Sequence, residues 1–136
     1  MAFNSQEIIQ DVRAEFEHLL DFVTGEQART AKADSIERGL FKMLLKLGAQ
    51  LLQLFFAMRS EACSRQPAPS KNGQELPYHR DTMRVYFSIF NKVFIERPYF
   101  YKQGVESQTP LDAELGLGDD SYSDLLLETT EYLAIY

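Results

Sequence analysis

The chain has 136 residues, 45% of them hydrophobic and 12% aromatic, which excludes a disordered chain and allows one domain with a real core. Cys63 is the only cysteine, so an intrachain disulfide and a cysteine-based zinc cluster are excluded, and a reducing, cytoplasmic setting fits. The net charge of −6 argues against a nucleic-acid partner as a total but not as a distribution: residues 1–26 carry −5, 27–59 carry +4, 60–104 carry +3 and 105–136 carry −8.

The first predicted element is a helix over residues 5–23. Ser5 is a natural N-cap, and Ile8, Ile9, Val12, Phe16, Leu19, Leu20 and Val23 make one apolar stripe. Thr24-Gly25 ends it, with Gly25 suited to a left-handed cap. The N-terminus has no basic region and no apolar run of a signal peptide.

A second helix is predicted from about Ala28 to Ser64. Leu40, Leu44, Leu47, Leu51, Leu54 and Met58 form a heptad seam. Phe41, Leu45, Gly48, Leu52 and Phe55 run beside it, while Lys42, Lys46, Gln50 and Gln53 are expected on the opposite face. Those polar residues argue against a membrane span. A helix this apolar needs cover on most sides, either from its own domain or from a second copy pairing through the seam.

Residues 65–77 hold three prolines and one glycine and read as a loop. A β-hairpin follows over residues 78–104. Val85, Phe87 and Ile89 alternate with Arg84, Tyr86 and Ser88, and the second strand runs from Val93 to Tyr101. The turn is expected at Phe90-Asn91-Lys92-Val93, with positive φ at Asn91. Pro98 should lie at an edge or bulge. Residues 105–136 form an acidic segment. Leu111, Leu115 and Leu117 dock a short turn, and a last helix starting near Ser121 or Ser123 carries Leu125, Leu126, Leu127, Leu133 and Ile135. It reaches Tyr136 without the usual signals of a helix end, as though cut.

No constellation supports catalysis. The chain has no phosphate loop, no His-Glu-x-x-His and no nucleophile elbow. His18 and His79 are the only histidines, Asp119-Asp120 and Asp112/Glu114 read as solvated acids, and Cys63 as a packing residue. The hairpin differs. Residues 78–101 hold eight of the seventeen rings together with Arg80, Arg84, Lys92 and Arg97. A β-ribbon can enter a groove, rings can stack on bases, and cations can hold phosphates. Equally, its rings can pack on the long helix while its charges face solvent.

The order Arg84, Tyr86, Ser88, Phe90, Val93, Ile95, Arg97, Tyr99, Phe100, then Pro110, Leu111, Asp112, Leu115, Leu117, then Tyr122 and Ser123 resembles the N-terminal region of ISKra-type insertion-sequence transposases. The match is strongest over residues 80–136. Asn91 stands where that family usually has Gly. Tyr101-Lys102-Gln103-Gly104 lacks the Cys-x-x-Cys of many relatives, so no metal or cofactor is implied. Family members continue into an RNase-H-like nuclease domain, for which this chain leaves no room. The resemblance implies a DNA-binding or assembly module rather than an enzyme.

The expectation is thus one α+β domain over residues 1–136. It comprises a helical part (1–64), a loop (65–77), an aromatic hairpin (78–104) and an acidic loop and helix (105–136). DNA contacts fall to Arg80, Arg84, Lys92, Arg97, Tyr86 and Tyr99. A homodimer forms through Leu40, Leu44, Leu47, Leu51, Leu54 and Met58. No small-molecule substrate and no membrane are expected. The alternative is a helical dimeric interaction domain that binds no nucleic acid.

Overall fold

The computed structural model describes residues 3–70 and 73–135, and of residues 131–135 the backbone alone. The expectations for the Leu133 and Ile135 side chains and for Tyr136 therefore lie outside the described residues. The chain is α+β. Helix α1 (Ser5–Thr24) is followed by a 3-10 turn (Glu26–Arg29) and the long helix α2 (Ala33–Glu61). Strands β1 (Ala68–Pro69) and β2 (Glu75–Leu76) form a small hairpin. Strands β3 (Tyr78–Phe87), β4 (Lys92–Lys102) and β5 (Val105–Gln108) form an antiparallel sheet in the order β3-β4-β5. Helices α3 (Pro110–Glu114) and α4 (Asp124–Ile135) complete it.

Helix α1 begins one residue away from the expected cap. Asn4 caps it, its side chain accepting from the amides of Gln6 and Glu7 at 2.9 and 3.2 Å. Ser5 is used elsewhere. Its amide and hydroxyl donate to the two oxygens of Glu61 at 3.0 and 2.8 Å, tying the start of α1 to the end of α2. Gly25 is extended rather than left-handed, with φ −72°. The stretch expected to open the second helix at Ala28 is instead a 3-10 turn, and α2 starts at Ala33.

The two helices run antiparallel, as the Ser5–Glu61 and Glu15–Lys46 contacts require. A Cβ on Gly39 would overlap the Phe22 ring, so the missing side chain sets the closeness of this pair. A Cβ on Gly48 would likewise overlap Phe90, which seats the turn of the β3–β4 hairpin on α2. Arg65 finishes α2 by donating to the carbonyls of Ser60 and Cys63 at 2.6 and 2.9 Å, where a cation also suits the helix dipole.

Gln50 and Gln53 do not lie on a solvent face. Gln53 turns toward the sheet, its Nε2 donating to the Phe94 carbonyl at 2.7 Å and its Oε1 accepting from the Phe94 amide at 2.9 Å. The side-chain amide acts as one residue of a neighbouring strand and satisfies the β4 edge. Parity then accounts for Pro98. It lies four residues beyond Phe94, so its missing N–H would point off the same open edge, and no ladder bond is lost. Strand β5 covers that edge only beyond Pro98, at Phe100 and Lys102.

The hairpin turn falls at residues 88–91, not 90–93. The Ser88 hydroxyl accepts from the amides of Phe90 and Asn91 at 3.1 Å each and donates to the Asn91 carbonyl at 2.6 Å. Among the described residues no non-glycine has positive φ, so Asn91 is not left-handed. On the outer edge of β3, Phe87 pairs with the chain at Ser121 and Ser123, and the Tyr122 ring stacks on Phe87 at 5.0 Å. Ser123 caps α4 through its bond from the Leu126 amide.

The core lies where α2, β4 and α3 meet. Phe56, Val93, Ile95 and Leu111 are buried together, with Leu52, Tyr86, Leu115 and Leu117 against them. The α1–α2 pair is thinly covered by comparison, with Leu19 the buried apolar residue of α1.

Replacing Gln53 by Ala leaves the Phe94 amide and carbonyl without partners and should cost about 1–3 kcal/mol. Hydrogen exchange at the Phe94 amide is expected to speed up more than at Ile95. The Ser5 hydrogen bonds, first its amide and then its hydroxyl, hold the Glu61 carboxyl below its ordinary value of 4.5. This anchor therefore contributes stability above pH 4.5 and loses it as the pH falls through the lowered value. Glu61→Gln should remove that acid-side dependence, as followed by thermal unfolding between pH 6 and about pH 3.

Candidate nucleic-acid interface

The register of β3 on β4 sets which side chains share a face. Tyr86 pairs with Val93, Arg84 with Ile95, Thr82 with Arg97 and Arg80 with Tyr99. Directly paired residues point to the same side. Five of the six candidate contacts (Arg80, Arg84, Arg97, Tyr86 and Tyr99) thus lie on one face of the ribbon, and Lys92 on the other.

Helix α3 and the residues after it cover one half of this face. Arg97 Nε donates to Asp112 Oδ1 at 3.1 Å, and Arg84 donates to Asp112 Oδ2 at 3.3 Å. Arg97 also reaches the Thr82 hydroxyl at 3.0 Å, and Thr109 donates to Asp112 at 3.1 Å. A second Arg84 nitrogen donates to the carbonyls of Gly118 and Asp120. The three ionic side chains are 14–17% exposed. Arg84 and Arg97 are therefore joints between the ribbon and the acidic segment, their guanidinium groups already committed. Tyr86 packs its ring edge-on against Phe56 at 5.2 Å in the core.

The other half of the face is open. The Tyr99 and Tyr101 rings stack at 6.2 Å with 11° between their planes. His79 lies 6.0 Å from Tyr99 and 5.7 Å from Tyr101. The Arg80 guanidinium sits over Tyr99 at 5.4 Å, a cation–π contact. A break in register between Tyr78 and Arg80 accommodates His79. Arg80, His79 and Tyr101 are all exposed. The result is a ladder of rings with a cation at its side. The sequence singles out Arg80 and Tyr99 here but leaves Tyr101 and His79 out, because only pairing shows which rings align.

Lys92 stands at the other end of β4, its ammonium 5.4 Å from the Phe94 ring. With Lys42 and Lys46 it surrounds a cleft floored by Val93 and Phe94. Lys46 also pairs with the buried Glu15 at 3.1 Å.

The remaining candidates are dispersed. His18 lies 3.8 Å from Glu15 on the helix surface. Burial pushes the Cys63 thiol up, and Glu114 adds to that. Asp120 accepts from the Tyr122 amide at 2.9 Å in a local turn. No group of three or more His, Cys, Asp or Glu side chains able to hold a metal occurs among the described residues. Of the heptad seam, Leu44, Leu51 and Met58 are exposed, while Leu40, Leu47 and Leu54 are half-buried. Comparison with known protein families, with curated proteins and with solved structures yields no match.

Breaking a partly buried ion pair from one side leaves the other charge without its partner. The joint is only partly buried, so Asp112→Asn should cost about 1–3 kcal/mol in urea unfolding. Replacing all three ionic groups at once (Arg84→Met, Arg97→Met, Asp112→Leu) should recover much of that loss, because no uncompensated charge remains.

Proposed function

We propose that this domain is a non-catalytic DNA-binding module of the transposase-like kind, and that its contact surface is the open end of the β-ribbon. One observation carries the reading: the ladder of His79, Tyr99 and Tyr101, with His79 and Tyr101 exposed, Tyr99 half-buried between them and Arg80 over Tyr99. Every base offers a π-face, so stacked rings bind unpaired bases without regard to sequence, at about 1–3 kcal/mol per base. Arg80 adds charge where a base or phosphate would lie. Lys92, on the other face of the ribbon and roughly 23 Å along the strand at ~3.3 Å per residue, lies outside this surface. Arg84 and Arg97 act indirectly, by holding the ribbon rigid. Asp112 of the acidic carboxyl-terminal segment is taken up by Arg84 and Arg97 at the covered half.

The test is fluorescence anisotropy with short single-stranded and duplex DNA at ~50 and ~200 mM salt, a range over which several phosphate contacts lose orders of magnitude in affinity. The expected result is salt-sensitive binding that prefers unpaired bases. Arg80→Ala combined with Tyr101→Ala, both at exposed positions, should weaken it about tenfold or more while leaving the unfolding midpoint nearly unchanged. Absence of binding at ~50 mM salt would overturn the reading.

A further inference from the structure

The α1–α2 pair leaves a large apolar surface open. Phe16, Leu20 and Val23 of α1 are exposed by 52%, 41% and 41%. On α2, Phe41, Leu44, Leu51, Phe55 and Met58 are exposed by 45–62%. In α1 these residues continue from Val12 in steps of three and four, so they line one edge. Between the helices runs a trough lined by Val12, Arg13, Phe16, Glu17, Leu47 and Leu51. The eight side chains leave an apolar patch on the order of 600 Å². That is the upper end of what a monomer shows and most of the ~800 Å² per partner in a standard interface.

We infer that a second copy of this chain covers this surface, the two α1–α2 pairs closing about a two-fold axis into an antiparallel four-helix bundle. Three features favour a copy of itself as the occupant. The seam Leu40, Leu44, Leu47, Leu51, Leu54, Met58 has steps of 4-3-4-3-4, which read the same in both directions. Antiparallel pairing about position 49 therefore sets Leu40 on Met58, Leu44 on Leu54 and Leu47 on Leu51, with every layer filled.

The charge pattern is also self-complementary. Arg13 and Glu17 lie one turn apart on the rim of the trough, and neither makes an ion pair among the described residues. A two-fold axis between them brings each Arg13 to the partner's Glu17. Finally, the trough sets residues 12–17 level with 47–51. The midpoint between Arg13 and Glu17 and the midpoint of the seam thus fall at one height, so a single axis serves both. Closed two-fold symmetry and short-looped helix pairs are the common route to such bundles. This inference is independent of DNA binding.

A bilayer is the competing occupant. Helix α2 is long and apolar enough to cross a membrane, with a mean hydropathy of 1.4 over its most apolar window, of which 11% is buried. The test is light scattering on the full chain in buffer without detergent. The expected mass is twice 15.7 kDa. Leu51→Glu should give a monomer with an unchanged far-UV spectrum.

Charge reversal supplies a test that does not depend on that variant folding. Arg13→Glu alone and Glu17→Arg alone should each weaken the dimer about tenfold, and the two together should restore it. A folded wild-type chain of monomer mass would overturn the inference. So would a double reversal as weak as the single ones. So would a chain that needs detergent and floats with phosphatidylcholine vesicles.

Discussion

The Asp112 carboxylate is the point on which the β half of the molecule depends. It receives Arg84 from β3 and Arg97 from β4, and Thr109 completes its acceptor set. Three charges leave water at this joint, and their mutual attraction offsets that cost only while all three are in place. What the joint provides is position. Leu111, one residue before Asp112, is fully buried in the core beside Phe56, Val93 and Ile95. The ion pairs and that apolar contact together seat α3 on one half of the ribbon face. Arg84 then carries the chain onward through its bonds to Gly118 and Asp120, and Phe87 receives Ser121 and Ser123 as a partial extra strand.

The same joint divides the face by environment. Its covered half is a core in which arginines serve as fasteners. Its open half leaves His79, Tyr101 and Arg80 exposed beside the half-buried Tyr99. A lone two-stranded ribbon is marginal in water, so an exposed ring ladder needs such support. Here α2 supports the outer edge of β4 through Gln53, and α3 supports the face. The acidic carboxyl-terminal segment, which on charge alone would repel a phosphate, is held against two of the arginines.

Much of the architecture is legible in the amino-acid order. The apolar periods of 3.6 and 2 mark both helices and the long hairpin, because burial of one face enforces them. What the order hides is the identity of distant partners. Arg84 and Arg97 look like phosphate ligands because Asp112 lies 28 and 15 residues away, and nothing local announces the pairing. Gln53 looks like a solvent residue because a side-chain amide rarely stands in for a strand. Ser5 and Asn4 are both good caps, and the choice falls to Asn4 because Glu61 takes Ser5. Strand β5 is short and polar and carries no period to read. Substituting Arg84 or Arg97 would accordingly report on folding before it reported on any ligand.

In the proposed DNA-binding reading the open half of the ribbon face meets nucleic acid and the covered half holds the fold together. The direct measurement is nuclear magnetic resonance of isotopically labelled protein titrated with a short single-stranded oligonucleotide. The largest shifts are expected at His79, Arg80, Tyr99 and Tyr101, with the Arg84 and Arg97 side-chain signals unmoved. Shifts centred on Arg84, Arg97 and Asp112, with the ring ladder silent, would contradict it.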